Sequence, residues 1–253
     1  MLLYGPPGCG KTVLANEIAA KLSLPLLTAR CDTLVSSFLG ATSKNIRSLF
    51  EHAAGRPCVL FLDEFDALAK ARDDKQELGE LKRVVVSLLQ NFDAQSRNTV
   101  MIAATNHPQL LDPAVWRRFA YRIEIGLPDA DQVATILTSR LGSFATTKEV
   151  ELVTPLCTGL SGALIEQAAH DSVRAAVLSN SRSIEVGELA RRLVRAQEGG
   201  RPLNAEDEMQ LLRSKAPNIF DYRTLHRLFG VSMRRITQVF KEQREDAYEH
   251  TSA

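Results

Sequence analysis

The sequence predicts an α/β chain, a five-stranded parallel sheet with helices on both faces, followed by a small all-helical domain and a helical C-terminal extension. Two observations carry this. Through residue 128, short apolar runs alternate with longer segments of helical period, the rhythm of strand–helix–strand units. From residue 130 to about residue 198 the period is helical only.

The five apolar runs are residues 1–4, 24–29, 58–62, 100–104 and 122–125, and each is short enough to be a buried strand. A helical stretch, 13–22, follows the first run. Leu127-Pro128-Asp129 then breaks the alternation and ends the first domain at residue 128. Within 129–198 the helices are separated by Gly142-Ser143, Gly159 and Asn180-Ser181. Gly199-Gly200-Arg201-Pro202 reads as a linker, so that 199–253 is a linker and a third, helical segment. No internal repeat is present.

Composition narrows the function classes. Of 253 residues 45% are hydrophobic and 24% charged, the average of folded globular chains, which excludes a disordered or fibrous protein. A net charge of +1 gives no global attraction to nucleic acid or membrane, so any such role must come from a local patch. No apolar run approaches the roughly 20 residues of a membrane helix, and the first residues lack the pattern of a secretion signal. The expectation is a cytoplasmic protein with no membrane partner. Cys9, Cys31, Cys58 and Cys157 lie far apart with no paired spacing, which argues against a disulfide framework or a zinc site.

Chemistry concentrates in two places. Gly5-Pro6-Pro7-Gly8-Cys9-Gly10-Lys11-Thr12 has the spacing of a phosphate-binding loop, and Val13 continues it into a helix. Following a strand and opening a helix, such a loop aims backbone N–H groups and the positive helix end at an anion. Lys11 would reach the β and γ phosphates of a nucleoside triphosphate, and the Thr12 hydroxyl would hold Mg²⁺. Some fifty residues on, the apolar run 58–62 ends in Asp63-Glu64. A parallel strand delivers such carboxylates to its C-terminal edge, where ligands of open α/β sheets bind. Asp63 would bind Mg²⁺ and Glu64 would orient and activate water. Alone, the pair would read equally as two acids opening an exposed helix; the phosphate loop favours the first reading.

With these motifs the sequence resembles the AAA ATPases, and within them the microtubule-severing and endosomal-sorting branch that includes katanin and spastin. The resemblance covers about residues 1–180 and extends to four more segments. Ala104-Thr105-Asn106 is similar to the family's first sensor, which implies that Asn106 helps position the hydrolytic water; from composition alone Asn106-His107-Pro108 is simply a turn. Leu111 to Phe119 resembles the segment carrying arginine fingers, so that Arg117 and Arg118 would act on ATP bound by a neighbouring subunit, although an arginine pair also suits a plain solvated edge. Ser37-Phe38-Leu39-Gly40, with 43–50 behind it, resembles the first pore loop; Phe38, with Leu39 beside it, would grip an extended polypeptide, or Phe38 would instead be tucked into a core. Gly159 to Glu166 resembles the turn opening the third lid helix, placing Gly162 and Ala163 against adenine. The resemblance thus implies a Mg²⁺-dependent ATPase, a homo-hexameric ring and a protein substrate remodelled or unfolded through a central pore.

Two departures stand out. Relatives carry a helix and a loop before the first strand, which close one side of the adenine pocket, whereas this sequence begins almost at the phosphate loop. Residues 90–95 read Gln-Asn-Phe-Asp-Ala-Gln where relatives often have Asp-Gly before a subunit-signalling loop.

Beyond the resemblance, residues 220–244 read helix, glycine turn, helix, and between Arg213 and Arg244 they are locally basic. Leu225, Leu228, Phe229, Val231, Ile236, Val239 and Phe240 could form a small core. Arg234, Arg235, Thr237 and Gln238 would then face a DNA groove or backbone, or a protein partner. The alternative function is accordingly a DNA-associated, ATP-dependent switch.

Overall fold

The computed structural model describes residues 1–34, 39–68, 78–94, 98–199 and 203–249, arranged as two compact units, Met1–Gly126 and Leu127–Ala253.

The first unit is built on strands β1 (Leu2–Tyr4), β2 (Leu26–Arg30), β3 (Cys58–Asp63), β4 (Thr99–Thr105) and β5 (Arg122–Glu124). They form one sheet in the order β2-β3-β4-β1-β5, and every pairing is parallel. The expected parallel sheet is therefore present. Alternation along the strands feeds two cores. Leu2, Leu60, Leu62 and Ala103 pack with Ile46, Phe50 and Leu88, while their neighbours Leu3, Val59, Phe61, Ile102 and Ala104 pack with Ala15 and Ala19. The first set lies under α3 (Leu39–Ala54) and α4 (Leu78–Asp93), and the second under α1 (Lys11–Lys21), which puts helices on both faces. Short helices α2 (Cys31–Leu34) and α5 (Pro113–Trp116) complete the unit.

Each strand and the first helix depart from the bounds read in the sequence by one or two residues at one or both ends, and two of the shifted boundaries have a plain cause. The first helix begins at Lys11 because Leu14 N–H already donates to the Gly10 carbonyl at 2.9 Å. The second strand begins at Leu26 because Leu24 N–H is used on the Ala19 carbonyl at 3.0 Å, closing α1, and Pro25 has no N–H to give.

The second unit is all helical: α6 (Ala130–Leu141), α7 (Thr147–Val153), α8 (Gly162–Leu178), α9 (Val186–Gln197), α10 (Ala205–Lys215), α11 (Tyr222–Phe229) and α12 (Met233–Glu249). Reciprocal capping boxes, Asp129 with Gln132 and Thr146 with Glu149, start α6 and α7. One core runs through all of it, joining Leu137, Ile165 and Leu193 to Met209, Leu212, Phe220, Leu225 and Ile236. The chain on either side of residues 200–202 therefore contributes to the same core. Buried Glu208 on α10 reinforces this, accepting hydrogen bonds from Arg191 at 2.9 and 3.0 Å and from Arg195 at 2.5 and 2.8 Å, both on α9. Among the described residues no helix is long and apolar enough to cross a membrane.

Candidate active site

The sheet order puts the phosphate loop, the acidic strand and the first sensor side by side. β1, which leads into the loop, pairs with β4, and β4 pairs with β3. Tyr4 lies level with Thr105, and Leu62 with Ala103, so Gly5, Asp63, Glu64 and Asn106 all emerge at one C-terminal edge.

Backbone geometry makes the loop. Gly5 has φ 142°, and a Cβ there would lie 2.1 Å from the Ile125 carbonyl oxygen, so only glycine fits beside Ile125. Gly10, at φ 94°, turns left-handed as the N-cap of α1 and offers no side-chain cap. The first N–H groups of α1, on Lys11, Thr12 and Val13, thus keep no intrahelical partner, because the first intrahelical bond is that of Leu14 N–H to the Gly10 carbonyl. Lys11 is 8% exposed, and its ammonium donates to the Gly5 and Pro6 carbonyls, each at 2.8 Å. Burial lowers its pKa, against the opposing pull of Cys9, Asp63 and Asp66. A third N–H donor remains on that ammonium.

Thr12 and Asp63, 51 residues apart in sequence, meet: the hydroxyl donates to Asp63 Oδ2 at 3.4 Å. The other carboxylate oxygen accepts from Glu64 N–H at 2.9 Å, which fixes the peptide that carries Glu64. Glu64 itself has φ 52°, outside the range favoured by side-chain-bearing residues. Its carboxylate lies 3.5 Å from the Arg30 guanidinium, which also holds Asp32 at 2.7 Å.

At the end of β4, the buried Thr105 hydroxyl donates to the buried Asp66 carboxylate at 2.9 Å and accepts from His107 N–H at 3.0 Å. This brace fixes the turn that carries Asn106, whose buried Oδ1 has no hydrogen-bond partner. A buried acceptor left without a donor is unusual and marks a place made for a ligand or its water. The orphaned Oδ1, the glycine cradle and the hydroxyl–carboxylate pair together fit a nucleoside triphosphate with Mg²⁺, with Thr12 and Asp63 as the oxygen donors for the ion.

Arg117 and Arg118 stand on a short anchored segment. Asp112 caps α5, accepting from Ala114 N–H at 2.6 Å, and Val115 and Phe119 are buried. Phe119 meets Phe65 edge-on at 5.7 Å, so the arginine segment shares an aromatic cluster with the residue after Glu64. Both arginines are exposed; Arg118 pairs with Asp93, and among the described residues Arg117 has no ion pair.

The remaining expectations fall elsewhere. Gly162 and Ala163 open α8 of the second unit behind the N-cap Ser161. Phe38 lies outside the described residues, and Leu39 is the first residue of α3. Arg234, Arg235, Thr237 and Gln238 are exposed on α12, but Arg235 Nε donates to Glu206 of α10 at 3.0 Å and so is already engaged within the unit. Arg30 and Asp66 were not singled out by the sequence, and Thr105 only as a member of the sensor-like run. The repeated acid in Asp63-Glu64-Phe65-Asp66 hinted at Asp66.

A phosphate loop, an acidic strand end and a sensor-like turn on one edge of a parallel sheet define a P-loop nucleoside-triphosphate-binding protein. The family model that matches residues 1–127 is that of the ATPase family associated with various cellular activities (AAA), and the chain belongs to that family. It is 40% identical over 193 residues to an uncharacterized AAA family ATPase, y4kL, of Sinorhizobium fredii, covering 76% of this chain and 58% of that one. It is also 37% identical over 184 residues to the peroxisomal ATPase PEX1 of Komagataella phaffii, covering 70% of this chain and 16% of that protein. The chain thus spans less than two thirds of the length of either relative. Among solved structures, the crystal structure of the FIGL-1 AAA domain superposes with a TM-score of 0.63 at 26% identity, covering 84% of this chain and 74% of that one.

Proposed function

We propose that this chain hydrolyses ATP with Mg²⁺ and, as a homo-hexameric ring, uses the cycle to remodel or unfold protein substrates through a central pore. The observation that carries hydrolysis is the convergence of Lys11, Thr12, Asp63, Glu64 and the orphaned Asn106 Oδ1 on one sheet edge. Lys11 and the N–H groups opening α1 bind the phosphates. Mg²⁺ on Thr12 and Asp63 would supply charge neutralisation of the β and γ phosphates. Glu64 orients the attacking water and takes its proton, while Asn106 holds the same water in line. The water oxygen bonds to the γ phosphorus as the bridging P–O bond breaks, giving ADP and phosphate. The resemblance also offers Gly162 and Ala163, which lack bulk, to adenine.

The ring reading is supported by exposed Arg117 and Arg118 on a rigidly anchored segment, where they could complete a neighbour's site. The pore reading rests on the resemblance of 37–50 and on family membership, with Phe38 as the gripping side chain.

Lys11→Ala should abolish binding of a fluorescent ATP analogue, whereas Glu64→Gln should bind it normally and turn over at less than about 1% of the parent rate. Unchanged turnover in both would overturn the site. Phe38→Ala separates a threading motor from a nucleotide switch: unfolding of a fluorescent reporter protein should collapse while basal hydrolysis survives, and an unaffected reporter rate would exclude threading by Phe38.

A further inference from the structure

The helix-turn-helix segment takes no part in the reading above. α11 is eight residues long and ends on Gly230 at φ 64°, and only Gly230-Val231-Ser232 separates it from α12. A short glycine-bearing turn between two helices is the build of a DNA-reading unit. The turn is fixed from both sides: His226 Nδ1–H donates to the Val231 carbonyl at 2.7 Å, and Ser232 Oγ accepts from Arg235 N–H at 3.3 Å.

Packing decides which face of α12 is left outside. Leu225, Ile236 and Val239 are buried, and Phe240 stacks on Tyr222 at 5.5 Å. The Arg213 guanidinium of α10 lies over both rings, 4.6 and 5.5 Å from their centroids, and pins the two helices to α10. The opposite face carries Arg234, Thr237, Gln238 and Lys241, all exposed and spaced i, i+3, i+4, i+7; the Thr237 hydroxyl donates to the Met233 carbonyl at 2.9 Å and keeps its oxygen as an acceptor. From Met233 to Lys241 α12 carries no acidic residue; Glu242, Glu245, Asp246 and Glu249 follow in the sequence of the helix. Arg223 adds a further exposed base on α11, whereas Arg227 is held by Glu185 at 2.7 Å.

We propose that α12 docks in the major groove of double-stranded DNA, with Arg234 and Lys241 on phosphates, Thr237 and Gln238 toward base edges, and Arg223 on the flanking backbone. The major groove admits one α-helix, and hydroxyl and amide side chains are those that hydrogen-bond base edges there. Two unit charges on one face suit an anionic polymer rather than an apolar partner. This inference stands on the second unit alone and needs neither ATP turnover nor a ring.

The test is fluorescence anisotropy of a labelled mixed-sequence duplex titrated with the whole chain across a salt series. The parent should bind at low salt, with affinity falling as salt rises. Arg234→Gln with Lys241→Gln should weaken binding on the order of tenfold and reduce the salt slope by about two, one for each phosphate that the variant no longer neutralises. A thermal melt matching the parent's would show that these exposed substitutions leave the fold intact; should it not, Arg234→Lys with Lys241→Arg, which keeps both charges, should retain the binding. No duplex binding by the parent at low salt, or an unchanged slope in the folded glutamine variant, would overturn the proposal. So would binding of polyglutamate in place of duplex, which would make the face a dock for an acidic protein surface.

Discussion

Glu64 combines a left-handed backbone at φ 52° with a carboxylate 3.5 Å from Arg30. For a residue with a side chain, such a backbone costs on the order of 1 kcal/mol, a cost that persists only where surrounding contacts impose it. Here the Asp63 side chain imposes it by binding Glu64 N–H. The guanidinium holds the Glu64 carboxylate at 3.5 Å, so Arg30 competes for that carboxylate with the water that Glu64 is proposed to activate. Because the pair is largely exposed, the effect is small: Arg30→Ala should raise basal turnover about twofold and leave nucleotide affinity unchanged. A fall in turnover in a steady-state phosphate-release assay would mean that Arg30 orients Glu64 instead. Lys11, Thr12, Asp63 and Glu64 were legible in the sequence because each belongs to a contiguous motif with fixed chemistry. Arg30 was not, because its contact arises from strand register, Arg30 lying level with Asp63 across β2 and β3, and the bond of Thr105 to Asp66 was not, because it joins residues 39 apart in sequence. A register is a property of paired strands, and no single strand displays it.

The five strands could be read from apolar runs because a sheet covered on both faces needs every residue of its central strands apolar, as 58–62 are. Helix bounds were harder, since α1 starts where a carbonyl is first used and β2 where an N–H is first free. Least legible was the join between α9 and α10. A run of glycines beside a proline reads as a boundary, whereas the tie across it is the long-range ion pair of Glu208 with Arg191 and Arg195. Burial opposes ionisation of this carboxyl, but hydrogen bonds and charge from the two arginines overcome it and hold the pKa below its usual 4.5. With the folded value depressed, the charged form contributes stability above the usual carboxylate range, and that contribution is lost as pH falls through the folded value. Glu208→Gln should therefore destabilise the second unit at neutral pH by roughly 3 kcal/mol, because both guanidiniums lose their anion. In a melt followed by circular dichroism, the gap between parent and variant should narrow as pH falls below about 4.5. A gap constant with pH would assign Glu208 a packing role only.

For the molecule as a whole, the question is whether one chain contains a complete hydrolytic centre. Lys11, Thr12, Asp63, Glu64 and Asn106 come from one sheet edge, where Lys11 is given to the phosphates and Arg30 is engaged by Asp32 and Glu64, so that among the described residues no uncommitted arginine is seen at that edge. Arg117 and Arg118 are exposed instead, on a segment braced by Phe119 and Val115. Arginines that act across a subunit boundary require a head-to-tail ring, in which each interface takes its acid from one protomer and its arginine from its partner. Arg117→Ala and Glu64→Gln chains should each be nearly inactive alone, with Arg117→Ala losing on the order of a thousandfold. Mixed in equal amounts they should regain activity, because roughly one interface in four then pairs an intact Glu64 with an intact Arg117. Recovery that grows with total protein concentration is the expected outcome of a phosphate-release titration. A mixture no more active than its components, formed under conditions where the two variants demonstrably co-assemble, would place Arg117 outside the neighbour's catalytic centre.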